Sequence, residues 1–236
     1  MKPKNTRFVL CAFALGLGAF SQAQSGPFDE PNWSWKAQSH SQTNGYTMVS
    51  TRSMKGMALH DAMRKLWEDH VTWTRLFIVS AVGDLPDKQA TTDRLLQNQT
   101  DIGDAVKPYY GTDAGNRLTA LLREHILLAA GIVTPAKQGD TKAVESGNAK
   151  WFANADEIAA FLSKANPKQW RAAEMRDMMH DHLALTLAEA VAQIKGDYSA
   201  SARAYDKVHV QILSMADMLT EGLMAQFPDK FRDTGR

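Results

Sequence analysis

Leu66-Trp67-Glu68-Asp69-His70-Val71 is a phrase the chain uses twice more, as Leu121-Leu122-Arg123-Glu124-His125-Ile126 and Met178-Met179-His180-Asp181-His182-Leu183. Each version runs from an apolar residue through two spacers to an acid, a histidine and an aliphatic residue. A Gly-Asp pair follows each, at Gly83-Asp84, Gly139-Asp140 and Gly196-Asp197, with the histidine 13, 14 and 14 residues before its glycine. Fifteen residues after each glycine stands a carboxamide, Asn98, Asn154 or Gln211. Three copies in register with helix-breaking glycines point to an internal repeat, which decides the fold before any local propensity does.

Apolar residues around these phrases recur at spacings of three and four, the stripe of an amphipathic helix. Met63, Leu66, Trp67, His70, Thr74 and Phe77 form one such stripe, and Leu118, Leu121, Leu122, His125, Ala129 and Ile132 another. Six stripes follow from Met57 onward, and no stretch alternates as a strand would. Breaks are expected at the three Gly-Asp pairs and at Pro108, Asn166-Pro167 and Pro228. The predicted fold is all-α: a six-helix bundle of three tandem αα-hairpin repeats, at about 57–110, 112–166 and 170–228 in a helical domain 57–236.

At about 1.5 Å rise per residue, each histidine and its carboxamide lie at equal depth, roughly 20 Å from their turn. The expected pairs are His70 with Asn98, His125 with Asn154, and His182 with Gln211. A buried imidazole or amide without a partner costs about 1–3 kcal/mol, so each pair reads first as a hydrogen-bonded clip that fixes the register of its hairpin. A second reading has the three hairpins packing about a common axis. His70, His125 and His182 would then converge on a metal ion, with Zn²⁺, Cu²⁺ or Ni²⁺ suited to three neutral imidazoles. Asn98, Asn154 and Gln211 would hold the rings from behind, and Thr74 and Thr186 share the histidine faces as small-ligand contacts. Asp101, Glu157 and Glu189 lie near the same faces. A narrower copper reading rests on Met175, Met178, Met179, His180, His182, His209, Met215 and Met218 in the third repeat, against the ordinary use of methionine as core filler.

Catalysis is the third class. Asp69, Glu124 and Asp181 adjoin the histidines in sequence, yet neighbouring helical residues point about 100° apart. The threonines four residues on more often bond their own backbone than act as nucleophiles. The chain has no glycine-rich phosphate loop, no nucleophile elbow and no H-E-x-x-H.

Lys2, Lys4 and Arg7 precede an apolar run from Phe8 to Phe20 and the small residues Ser21 and Ala23. This is the pattern of a secretory signal, 1–23, and a periplasmic or secreted location. Residues 24–56, polar and rich in Gly and Pro apart from Trp33 and Trp35, read as a flexible leader. Cys11, the only cysteine, falls inside the signal, so disulfides and thiolate chemistry are not expected after cleavage. Losing three basic residues and no acid takes the net charge from +1 to −2, which argues against nucleic acid as a partner. No later stretch reads as apolar enough for stable membrane insertion.

The motif L-W-x-x-H-V-x-W-T-R at Leu66–Arg75 accompanies Asn98, Tyr109-Tyr110-Gly111, Trp151-Phe152-Ala153-Asn154 and Gln226-Phe227-Pro228. Together they resemble an uncharacterised family of helical bacterial proteins. Some relatives carry automatically assigned names such as glycosyltransferase or acetylglutamate kinase. The resemblance implies a helical fold over most of the chain after the leader and brings no catalytic residues. An unrecognised transferase stays open on it, although no nucleotide-binding motif stands behind either name.

Overall fold

The computed structural model describes residues 53–232. The expected signal and nearly all of the leader, with Trp33 and Trp35, lie outside the described residues. Six helices follow one another: α1 Met54–Val82, α2 Lys88–Tyr110, α3 Thr112–Gln138, α4 Thr141–Ala165, α5 Ala172–Ile194 and α6 Tyr198–Gln226, then a 3₁₀ turn at Pro228–Phe231. No strand occurs among the described residues.

The three Gly-Asp turns are not alike. At the second, Gly139 takes φ 73°, and the Asp140 carboxylate accepts from Ala143 N to cap α4. At the third, Gly196 takes φ 75°, and Asp197 caps α6 through Ala200 N. Glycine carries the left-handed residue without steric penalty, and the acid satisfies an orphan amide at the helix start. At the first, Gly83 stays right-handed at φ −82° and Asp84 takes φ 52°. Helix α2 then begins only at Lys88, with no side-chain cap. The first turn is therefore longer, and it shifts the helix that follows it.

Two boundaries differ from the sequence expectation. Helix α1 starts at Met54, ahead of the stripe read from Met57, because the Ser53 hydroxyl accepts from Gly56 N at 2.9 Å. Pro108 does not end α2; it sits in the last turn, and the break falls at Gly111 with φ 86°. A proline so close to the end of a helix disrupts only its final bonds.

Each helix packs beside the next, α6 returns against α1, and α1, α3 and α5 also touch one another. The three odd-numbered helices thus meet at the centre, and each carries one of the repeated histidines. Trp67, Ile102, Leu121, Ile158, Leu183 and Ile212, one from each helix, are among the residues of the core around them. Close approach is built in where α2 meets α3. A Cβ on Gly103 would lie 1.9 Å from Thr119 Oγ1 and 2.6 Å from Gly115 O. Where α4 leads into α5, Asn166 donates to Gly222 O at 2.8 Å and the buried Trp170 packs against α6.

Helix α3 corrects one expectation. An 18-residue window within it reaches a mean hydropathy of 1.3, enough by length and composition to cross a membrane. Part of that window faces inward, with Leu118, Leu121, Leu122 and Ile126 buried, while Leu127 is exposed.

Candidate functional site

His70, His125 and His182 are all buried, at 3%, 3% and 4% exposure. Asn98 and Asn154 are buried as well, as expected from the stripes. Between α1 and α2, α3 and α4, and α5 and α6 the carboxamide N–H reaches the same place, the carbonyl one turn before the histidine. Asn98 donates to Leu66 O at 3.0 Å, Asn154 to Leu121 O at 3.3 Å and Gln211 to Met178 O at 2.9 Å. That contact occupies a carbonyl of the first helix with an amide of the second and holds the two at a fixed axial offset.

The histidine side of the arrangement differs among the three. His125 Nδ1 lies 2.9 Å from Asn154 Oδ1. Since Asn154 spends its N–H on Leu121 O, its oxygen faces the ring, and His125 Nδ1 must donate. Trp151 Nε1 donates to His125 Nε2 at 3.1 Å, and an indole N–H can only donate. His125 is therefore a neutral Nδ1–H tautomer with both nitrogens engaged. His182 Nδ1 donates in the same way to Gln211 Oε1 at 3.1 Å. Its Nε2 makes no hydrogen bond among the described residues.

The expected pair of His70 with Asn98 does not form. Asn98 Oδ1 accepts from Gln99 Nε2 at 3.1 Å. Gln99 also donates to Leu95 O at 2.8 Å. His70 Nδ1, Gln99 Oε1 and Trp67 Nε1 are buried without partners. The cause is register. His125 and His182 stand 29 residues before their carboxamides, whereas Asn98 follows His70 by 28, and the residue at 29 is Gln99. The work that one side chain does in the other hairpins is divided here between two, and the bond to the histidine is the part left unmade.

The three imidazoles influence one another. Burial holds His70 well below its ordinary pKa, the His182 and His125 rings lower it further, and a side-chain interaction with Gln99, too loose to be a full hydrogen bond, opposes them. Burial lowers His125 to about 3, helped by His182 and opposed by Asn154. Burial lowers His182 to about 4, against its bond with Gln211. The His70 and His182 rings are 5.7 Å apart between centroids, tilted by 41°, and Trp67 meets His70 edge-on at 5.7 Å.

The other candidate residues are spent elsewhere. Thr74 Oγ1 donates to His70 O at 2.7 Å and Thr186 Oγ1 to His182 O at 2.9 Å, so both hydroxyls serve their own helices. Asp101 is half-buried beside Arg94 and Glu157 is exposed beside Arg117. Glu189 is 1% exposed and paired with Arg75 at 2.8 Å. Burial raises its pKa while the guanidinium opposes that rise. Arg75 also stacks on Tyr205, 5.0 Å from the ring centre. His180 and His209 bond Asp156 and Glu68 at the surface, apart from Met175, Met179 and Met215 in the core.

Among the described residues no group of three or more His, Cys, Asp or Glu side chains is arranged to hold a metal ion. A groove of about 650 Å³ between α2 and α3, lined by Thr100, Asp104, Lys107, Thr119 and Arg123, contains none of the three histidines. Three features escaped the sequence reading: Gln99 as the residue facing His70, Trp151 as the donor to His125, and the Arg75–Glu189 pair. The first was accessible from the constant separation of 29. No family model, no curated protein and no solved structure matches the chain.

Proposed function

We propose that the chain is an exported, non-enzymatic protein of three tandem αα-hairpins, in which the His125 and His182 pairs set helix register and the axis beside His70 receives a metal ion or small ligand. One observation carries this reading: His70 Nδ1, Gln99 Oε1 and Trp67 Nε1 are buried without partners, while His125 is saturated. Buried polar atoms are nearly always satisfied, and each orphan costs about 1–3 kcal/mol. Retaining three in one neighbourhood favours a guest that completes them. The tandem repeat is supported by the three carboxamide-to-carbonyl bonds, which recur at the same place in each hairpin. Export rests on the Lys2–Ala23 pattern in the sequence. The non-enzymatic reading fits threonine hydroxyls committed to backbone and carboxylates that face away from the histidines.

Metal analysis of the purified mature chain, with thermal melts across transition-metal ions and small polar ligands, tests it. A bound metal or a ligand-dependent rise in Tm, lost in His70→Ala, is the expected result. If nothing raises Tm, and His70→Ala changes stability alone, all three pairs are register clips.

A further inference from the structure

We infer that His70 and His182 form a two-coordinate site for a closed-shell monovalent metal ion of the Cu(I) or Ag(I) type, one nitrogen of each ring binding the ion. This names the guest of the axial position proposed above and rests on that reading.

The spacing comes first. Two imidazole nitrogens, each about 2 Å from one ion, place their ring centres about 6 Å apart. The observed separation is 5.7 Å. Lone pairs come next. His182 Nδ1 donates to Gln211, so its Nε2 carries a lone pair with no hydrogen bond. His70 Nδ1 is buried and interacts with the Gln99 side chain without a full hydrogen bond, and with Nδ1–H turned to that amide its Nε2 carries the lone pair.

The donor count then selects the ion. The lone pair of His125 is taken by the Trp151 N–H, and Glu189, the buried carboxylate on α5, is held by Arg75. What is left is two neutral nitrogens. Zn²⁺ takes four ligands in structural sites and three plus water in catalytic ones, so this set is too small for it. Desolvation cost grows with the square of charge, so a divalent ion costs about four times as much as a monovalent one in the same dry site. Closed-shell monovalent ions accept two donors, and imidazole and thioether surroundings suit copper. Met63 and Met175 stand seven residues before the histidines of their helices, and Met179 three before. At 2%, 0% and 3% exposure they are buried on the histidine helices, Met179 one turn from His182 and the other two about two turns from their histidines.

The test uses the whole mature chain, with Ag(I) as a redox-silent probe, Cu(I) supplied under reducing conditions, and Zn(II) as comparison. The expected result is one Ag(I) per chain, a change in Trp67 fluorescence, and ¹⁵N shifts confined to the His70 and His182 imidazoles. His70→Gln and His182→Gln each abolish that uptake. Gln211→Ala, which releases the far side of the His182 ring, weakens it about 10- to 100-fold. The absence of saturable Ag(I) uptake by folded chain overturns the inference. So does uptake that persists in both histidine variants, which would place the ion elsewhere. Should the variants fail to fold, the ¹⁵N shifts of the unaltered chain decide, and movement at His60, His180 or His209 instead is negative. Zn(II) binding as well as Ag(I) defeats the monovalent assignment and leaves the axial guest standing. A Tm rise with some other ligand and none with Ag(I) does the same.

Discussion

The first hairpin and the second are built from the same phrase and end differently. In the second, Asn154 joins Leu121 O to His125, and Trp151 closes the other ring nitrogen. In the first, Asn98 keeps the bond to Leu66 O, Gln99 turns onto Asn98 and Leu95, and His70 Nδ1 is unpaired. A separation of 28 instead of 29 residues accounts for the difference, and it accompanies a first turn in which Asp84, not glycine, takes the left-handed conformation. One residue between the histidine and its glycine, about 1.5 Å along the helix and 100° around it, separates the closed polar clip from the open one. Helix α1 is tied instead to α5 and α6, through Arg75 to Glu189 and Ser201, Arg64 to Asp217, and Thr72 to Tyr205.

Acid is expected to give the largest effect. All three histidines have folded-state pKa values below that of the free side chain. The unfolded chain therefore binds their protons first. Stability is full above about pH 6.5 and falls as pH drops toward the folded values of about 3 for His125 and about 4 for His182. Each histidine contributes about 1.4 kcal/mol per pH unit within that window. Denaturant unfolding between pH 7.5 and 5 checks it, and His125→Gln makes the decline shallower by one histidine's share.

His125→Ala comes next, at about 3–5 kcal/mol lost, because it leaves a cavity and strands Asn154 Oδ1 and Trp151 Nε1. Denaturant midpoints at constant m-value measure it. Arg75→Met should cost about 3 kcal/mol by leaving the buried Glu189 unpaired, and adding Glu189→Leu should restore most of that loss. A double-mutant cycle on those two positions reads the coupling directly. A smaller effect belongs to the open clip: Gln99→Met should cost about 1–2 kcal/mol, since it removes an unbonded oxygen but strands Asn98 Oδ1, the buried acceptor of the Gln99 N–H. Asn154→Leu, by contrast, should cost about 2–4 kcal/mol by stranding Leu121 O and His125 Nδ1. Equal costs at Gln99 and Asn154 would remove the distinction between the hairpins.

Much of this was legible in the sequence because helical periodicity and turn chemistry are local. The six stripes, the Gly-Asp turns and the interior placement of His70, His125 and His182 all follow from spacing. The pairing of His125 with Asn154 and of His182 with Gln211 follows from equal depth on either side of a tight turn. His70 with Asn98 did not follow, because the residue missing from the separation of 28 lies between His70 and Gly83, and Asn98, although it reaches the same carbonyl as its counterparts, bonds Gln99 in place of the ring. The choice between neighbouring carboxamides depends on a rotation of about 100°, which counting residues to a turn does not resolve. Nor does periodicity reveal which helices meet at the centre. That comes from the ring closing α6 onto α1. Arg75 and Glu189 are 114 residues apart, so their meeting is a property of the closed ring.

The imidazole nitrogen spectrum of the chain at neutral pH, without added ligand, tests the central difference most directly. His125 and His182 should each show a single neutral tautomer with Nδ1–H protected from solvent exchange, and His70 should show no such protected proton. Three equivalent, locked Nδ1–H tautomers would contradict the account.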